Sequence, residues 1–226
     1  MAKVYAGPKQ LLPVAGKPLL EHALERLPSV IDELVIVIGG PYEQQIRDYF
    51  GSEHKGRKVT FVRQPEPIGL GHAIQQAKGV VRGRFLVAVP DDILSADDLT
   101  QLVAGTDLAA LVQRRPDWHK FGVFVCDAEG CLVRAVEKPK EFVSDLASTG
   151  TYVLDEEFFD VTVPPSARGE IELPDIINAL VTERKRRMKV VETSFWLAVN
   201  DPDQLKTANE LLGQQSVSSP SPQLAT

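Results

Sequence analysis

The chain has 226 residues, of which 43% are hydrophobic and 25% charged, with a formal net charge of -6 and a pI near 5.3. That length suits one large α/β domain or two small ones with a sizeable core, and the acidic balance argues against a non-specific nucleic-acid or membrane-surface role. A small-molecule partner is expected instead. The N-terminus carries no basic region followed by an apolar segment, and no later apolar run reaches membrane-spanning length, so a cytoplasmic protein is expected.

The chain opens with MAKVYAGPKQLLPVAGKP, in which a short β-like run over residues 3–6 stops at Gly7 and Pro8-Lys9 begins a second element with almost no loop between. Apolar residues at helical spacing predict a helix over 19–27, and the β-branched run 33–40 predicts a buried strand ending in glycines. The alternation continues with a helix over 42–50, a strand over 59–62, a helix over 71–80 and a buried strand over 84–89 that ends at Pro90-Asp91-Asp92. Strands apolar on both faces and separated by helices predict a mostly parallel sheet covered on both sides. The second half is β-rich, with short strands predicted over 108–114, 122–126, 132–137 and 149–154. Cys126 and Cys131 flank a turn-like tetrad and read as two reduced thiols facing each other across a hairpin. A helix over 170–187 ends in the basic cluster 183–187, which reads as a solvated helix C-terminus. A last helix over 202–212 precedes a polar Ser/Pro-rich stretch. The expected organisation is therefore one domain over 1–213 and a disordered tail over 214–226.

In open parallel sheets, ligands gather outside the carboxyl ends of the strands. That rule selects Gly7 to Lys9, Gln64 to Gly71, and Asp91-Asp92. A carboxylate leaving a buried strand into a cleft can hold Mg²⁺, which takes oxygen ligands and bridges to substrate phosphates, although Asp92 or Ser95 could equally cap the next helix. In Gln64-Pro65-Glu66-Pro67-Ile68-Gly69-Leu70-Gly71-His72-Ala73 the prolines stiffen the loop and the glycines allow close backbone approach to a flat ligand. The Gln64 amide offers the donor and acceptor that a nucleobase edge requires, while His72 reads as packing or capping. Glu137-Lys138 sets an acid beside a base at a strand end, a pair suited to a sugar phosphate or to a solvated surface.

Several stretches together resemble the sugar-1-phosphate nucleotidylyltransferases, over about residues 3–212. Pro8 to Pro18 resembles the family's P-K-x-L-L-P-V-x-x-K-P signature. Gln64 to Ala73 resembles its base-recognition loop, and Pro90-Asp91 its metal turn. Phe121-Gly122-Val123, Glu137-Lys138-Pro139, Thr149-Gly150 and Pro165-Ser166-Ala167-Arg168-Gly169-Glu170 follow in the family's order. The resemblance implies a three-layer, Rossmann-like (GT-A-like) α/β fold with a mixed, mostly parallel central sheet. It also implies formation of an NDP-sugar and pyrophosphate from an NTP, UTP or dTTP, and a sugar 1-phosphate, with Mg²⁺. Carried over by residue, Lys9 and Asp91 would be catalytic. Gly7, Lys9, Gln64, Pro67 and Gly69 would bind the nucleotide, and Gly122, Glu137, Lys138, Gly150 and Arg168 the sugar phosphate. Asp91 would bind the metal. Homo-oligomer formation is left open.

Two departures from the family pattern stand out. The G-x-G-T-R loop that precedes P-K in the family is missing between Gly7 and Pro8. Near the end, alanine occupies the position of the second metal aspartate in Trp196-Leu197-Ala198-Val199-Asn200-Asp201-Pro202, whereas Val199-Asn200 with Leu205 fits the N-acetylglucosamine-1-phosphate uridylyltransferase pattern. Asn200 is thus the candidate second ligand, with Asp201 as substitute. The missing loop keeps a competing reading open, a non-catalytic relative that binds sugar phosphate or nucleotide. A glycosyltransferase of related fold is disfavoured by the absence of a D-x-D motif at Pro90-Asp91-Asp92-Ile93.

Overall fold

The structure, a computed structural model, describes residues 7–217. The strand expected over 3–6 and the end of the expected tail, 218–226, lie outside the described residues. In chain order, a one-turn 3-10 helix (Lys9–Leu11) leads to β1 (Pro13–Val14), β2 (Lys17–Pro18), α1 (Leu19–Leu24), β3 (Glu33–Ile38), α2 (Glu43–Phe50), β4 (Glu53–His54), β5 (Arg57–Arg63), α3 (Leu70–Gln75) and β6 (Phe85–Val87). There follow β7 (Asp92–Leu94), α4 (Ala96–Ala104), β8 (Leu108–Arg114), β9 (Gly122–Cys126), β10 (Leu132–Glu137), β11 (Leu146–Leu154), α5 (Leu173–Thr182), β12 (Met188–Glu192), β13 (Trp196–Ala198) and α6 (Pro202–Val217).

The α/β architecture is mixed, as expected. One sheet runs β3-β5-β4, a second runs β10-β9-β11-β8-β12 with β6 also on β11, and β7 pairs with β13. Among the described residues the parallel pairs are β3 with β5, from Glu33 opposite Lys58 to Ile38 opposite Arg63, and β8 with β12. The remaining pairs are antiparallel and dominate the second half.

The helices cover these sheets for the reason their spacing suggests. In α2 the buried residues Ile46 and Phe50 lie four apart, hence on one face, and join Leu20 and Leu24 of α1 over Leu34 and Ile38 of β3. In α5, Ile176, Ile177 and Leu180 pack with Phe124, Tyr152 and Phe158 in the largest core cluster. Each such fully buried side chain contributes roughly 1.5–3 kcal/mol by leaving water.

Three expectations shift in detail. The helix expected over 170–187 is shorter at both ends: α5 begins at Leu173 with proline in its first turn and ends at Thr182. Lys185 then takes a left-handed backbone (φ 57°), Arg186 N–H donates to Leu180 O at 2.9 Å, and the chain turns into β12. That strand, unanticipated, lies parallel along β8, where ladder hydrogen bonds outweigh further helical turns. The basic cluster follows the C-terminus of α5 with Glu183, Arg184, Lys185 and Arg187 exposed, as expected, while Arg186 is half-buried. Arg186 pairs with Asp155 (2.5 Å) and Glu157, and Arg187 Nε donates to Cys131 Sγ at 3.1 Å. Cys126 and Cys131 are free thiols at the end of the β9–β10 hairpin, where Cys126 sits opposite Leu132. α6 continues to Val217, past the expected boundary at 213. Among the described residues no helix is long and apolar enough to cross a membrane.

Candidate active site

The first polar cluster joins residues from three distant parts of the chain. Lys9 sits in the 3-10 turn behind the buried Pro8, and its Nζ bonds the Asp91 carboxylate and donates to Asn200 Oδ1 at 2.8 Å. The β7–β13 ladder brings the two oxygens together. Ala198 is opposite Asp92 in that ladder, and one step further Val199 N–H donates to Asp91 O at 3.0 Å, so Asn200 emerges beside Asp91. The Asn200 backbone is held in turn by Gln204 Oε1 at 2.6 Å, through the first turn of α6. A carboxylate oxygen and an amide oxygen thus converge on one cationic point. Among the described residues no group of three or more His, Cys, Asp or Glu side chains is arranged to hold a metal ion, so a cation here would take its other ligands from elsewhere.

Asp92 does not cap a helix. It is a buried strand residue, 9% exposed, and Ser95 caps α4 by accepting from Asp98 N–H at 3.3 Å. Burial, and then the neighbouring Asp91 charge, push the Asp92 carboxyl from its ordinary 3.8 to about 7, against the opposite pull of Trp196 and Lys9. Sequence reasoning weighed Asp92 as part of an Asp91-Asp92 metal turn or as a helix cap, and did not anticipate its burial in a strand.

The second cluster gathers at the end of β10 and the loop before α5. Glu137 and Gly122 are opposite each other across the β9–β10 ladder, and a Cβ at Gly122 would lie 3.0 Å from Glu137 Oε2, so the glycine makes room for the carboxylate. Burial raises the Glu137 pKa, with Glu172 adding to the rise and Lys138 and Arg168 opposing it. Arg168 donates to Glu172 Oε1 through Nε (3.2 Å) and Nη2 (2.8 Å), and Nη2 also lies 3.5 Å from Glu137 Oε1 and from Glu170 Oε2. Ser166 Oγ donates to the same Glu172 oxygen at 2.8 Å. Lys138 holds a left-handed backbone (φ 41°), and its ammonium lies 3.6 Å from Glu137. Glu172 was not anticipated, since the pair lies in the loop before α5 rather than on a helix face.

The Gln64 loop leans on this second cluster. Gly71 N–H donates to Ile171 O at 3.1 Å, and Ile171 N–H to Ile68 O at 2.7 Å. A Cβ on Gly69 (φ 110°) would stand 2.5 Å from Ile171 O, and one on Gly71 2.8 Å from the same atom. These glycines are required for the loop to lie against the Ile171 backbone, a closer need than the ligand approach expected of them. Gln64 Nε2 donates to Gly69 O at 3.2 Å and lies 3.1 Å from His72 Nδ1, so its amide is oriented by the loop itself. Pro67 is exposed on the outer turn. Gly150 (φ 77°) presses on Val89, just before Asp91, with Val89 methyl carbons 3.1 Å from where its Cβ would be. Gly7, partly buried, opens the described chain.

A family profile described as Nucleotidyl transferase matches residues 5–215. The bifunctional protein GlmU of Methanococcus vannielii is 31% identical over 89% of this chain and 49% of its own length. The low-salt glycan biosynthesis nucleotidyltransferase Agl11 of Haloferax volcanii is 32% identical over 92% of this chain and 61% of its own. The chain therefore spans about half to three-fifths of these curated relatives. Among solved structures, one assigned as a glucose-1-phosphate thymidylyltransferase from Bacillus anthracis, in complex with a sucrose, superimposes with TM-score 0.81 at 28% identity, over 93% of this chain and 89% of that one. A UDP-glucose pyrophosphorylase complexed with UDP-glucose shares the fold at TM-score 0.81 and 22% identity, over 92% of this chain and 91% of that one.

Proposed function

Because this chain belongs to the nucleotidyl transferase family, we propose that it transfers a nucleotidyl group from an NTP to a sugar 1-phosphate, releasing pyrophosphate. The convergence of Asp91 and Asn200 oxygens on the Lys9 ammonium carries this reading. UTP and dTTP are the favoured nucleotides, since similar proteins bear uridylyl- and thymidylyltransferase names, among them AglF of Haloferax volcanii, a UTP–glucose-1-phosphate uridylyltransferase at 29% identity.

A phosphate oxygen of the sugar 1-phosphate attacks the α-phosphorus in line, forming a P–O bond as the bond to the pyrophosphate oxygen breaks. No covalent enzyme intermediate is needed, so the chain's task is to orient the reactants and neutralise charge. Lys9 supplies a fixed positive charge for the nucleotide phosphates. Arg168 and Lys138 hold the sugar phosphate, Glu137 accepts from a sugar hydroxyl, and the amide of Gln64 meets the base edge. Asp91 and Asn200, whose oxygens the Lys9 ammonium holds in this structure, are hard donors that would suit Mg²⁺ if that ammonium turned to the phosphates. When bound there, that ion would polarise the α-phosphate and offset its charge.

The direct Gly7-Pro8 junction favours a second reading, a relative that binds these ligands without turning them over, because backbone donors for a triphosphate are not supplied at that point. Pyrophosphate release from a panel of NTPs and sugar 1-phosphates with Mg²⁺ separates the two. Metal-dependent release lost in Asp91→Ala supports transfer. If no pair reacts while sugar 1-phosphate or NDP-sugar still raises Tm, the binding reading stands.

A further inference from the structure

β10 is the terminal strand of its sheet, with β9 on one side and, among the described residues, no strand on the other. The backbone at its open edge is answered by a side chain of α5. Asn178 Oδ1 accepts from Ala135 N–H at 2.7 Å, and Asn178 Nδ2 donates to Ala135 O at 2.8 Å. One amide thus takes both places that a neighbouring strand residue would fill. Because the two backbone groups differ in kind, the amide can meet them in only one orientation. Around this contact the packing is apolar: Ala135 belongs to the same core cluster as Ile176, Ile177 and Leu180 of α5. Apolar contact is non-directional and would tolerate a helix displaced along the strand. The paired amide would not, since a slip of one strand residue (~3.3 Å) carries Ala135 out of reach of both bonds.

That register reaches the second polar cluster. Glu137 lies two residues beyond Ala135, on the same face of β10, and Pro174, in the first turn of α5, lies four residues before Asn178. The far ends of strand and helix meet there: a Cβ at Gly122 would stand 3.0 Å from Glu137 Oε2 and 3.5 Å from Pro174 Cγ. Just ahead of that turn Glu172 accepts from Arg168, whose Nη2 lies 3.5 Å from Glu137 Oε1. β10 therefore carries the acid and the approach to α5 carries the guanidinium, while the Asn178–Ala135 pair joins the two elements one helical turn away. We propose that Asn178 is a positioning residue for the sugar 1-phosphate. By fixing β10 against α5 it sets the separation of Glu137 and Arg168, across which the sugar and its phosphate are held. This role rests on the assignment of those two residues to the sugar phosphate in the function proposed above, and Asn178 acts through the strand without touching a reacting atom.

Two measurements on the full chain test this. In steady-state kinetics, Asn178→Leu removes both bonds at similar volume and should raise KM for the sugar 1-phosphate about 10-fold, with kcat and KM for the NTP changed less than about 2-fold. Asn178→Asp keeps an acceptor for Ala135 N–H but no donor for Ala135 O, and should raise the same KM about 3-fold. With one bond retained, it carries the test where the leucine variant does not fold. A lowered Tm with kcat and both KM values unchanged, or equal rises in both KM values, overturns the proposal and leaves Asn178 a cap on the strand edge. The second measurement needs no turnover: calorimetric titration with glucose 1-phosphate or N-acetylglucosamine 1-phosphate, in the presence of the α,β-methylene analogue of UTP or dTTP. Kd should weaken from parent to Asn178→Asp to Asn178→Leu. Equal Kd values in the three chains overturn the positioning role alone. A parent chain that binds neither sugar phosphate overturns it together with the assignment of Glu137 and Arg168.

Discussion

The two polar clusters of the site rest on different supports. Lys9, Asp91 and Asn200 are delivered by the β7–β13 ladder and a single turn, and one ammonium answers two oxygens. Arg168 instead sits among Glu137, Glu170 and Glu172, with Ser166 also on Glu172 and Lys138 beside Glu137, so the arginine divides its contacts among three carboxylates. The difference teaches that the first cluster is organised for charge that arrives with a ligand and has no internal substitute. In the second, Arg168 is already shared among carboxylates and would give up only part of its contacts to an entering phosphate.

The largest effect expected from this contrast is on Asp91. Asp91→Ala should lower pyrophosphate formation by about 100-fold or more, with the loss mainly in kcat, in a coupled pyrophosphate assay. A loss confined to KM would place the two clusters on the same footing. Next comes the hinge between the Gln64 loop and the Arg168 loop. Gly69→Ala combines a left-handed backbone with a 2.5 Å approach to Ile171 O, and should cost roughly 2–3 kcal/mol in denaturant unfolding. Arg168→Gln should raise KM for sugar 1-phosphate by about 10-fold with a smaller change in kcat, since Lys138 remains. Equal losses in both parameters would make Arg168 as indispensable as Asp91.

The smallest effect concerns Asp92. Its carboxyl is protonated in the folded chain up to about 7 but ionises at its ordinary 3.8 when unfolded, so between these values the folded state holds a proton that the unfolded state has lost. Raising pH across that window therefore destabilises the fold, by ∂ΔG/∂pH proportional to the unfolded-minus-folded proton count. Asp92→Asn in chelator-treated protein should remove this slope. Its Tm advantage over the parent should grow from pH 4 to 7 and level off above.

Local signals of period and punctuation located most elements. The β-branched run became β3 and the spacing of Ile46 and Phe50 became α2, whereas the strand read as closing at Pro90-Asp91-Asp92 ends at Val87 and Asp92 opens the next strand. β12 and the early end of α5 were not legible, because Glu183 to Arg187 are good helix formers locally, and only the free edge of β8 makes a strand of Met188–Glu192 preferable. The candidate ligands were legible as residue types in a recurring order. That Gly69 and Gly71 answer to Ile171, a hundred residues away in the chain, was not.

By itself the sequence determined the family, the α/β alternation and the candidate residues proposed here for phosphate, metal and sugar, since these depend on side-chain chemistry and short-range spacing. Tertiary structure alone decided that Asn200 stands beside Asp91, that Asp92 is buried with a raised pKa, and that Arg168 is shared among three carboxylates. Each of those outcomes depends on strand pairing and burial between segments far apart in the chain, and neither is encoded in any one stretch of residues.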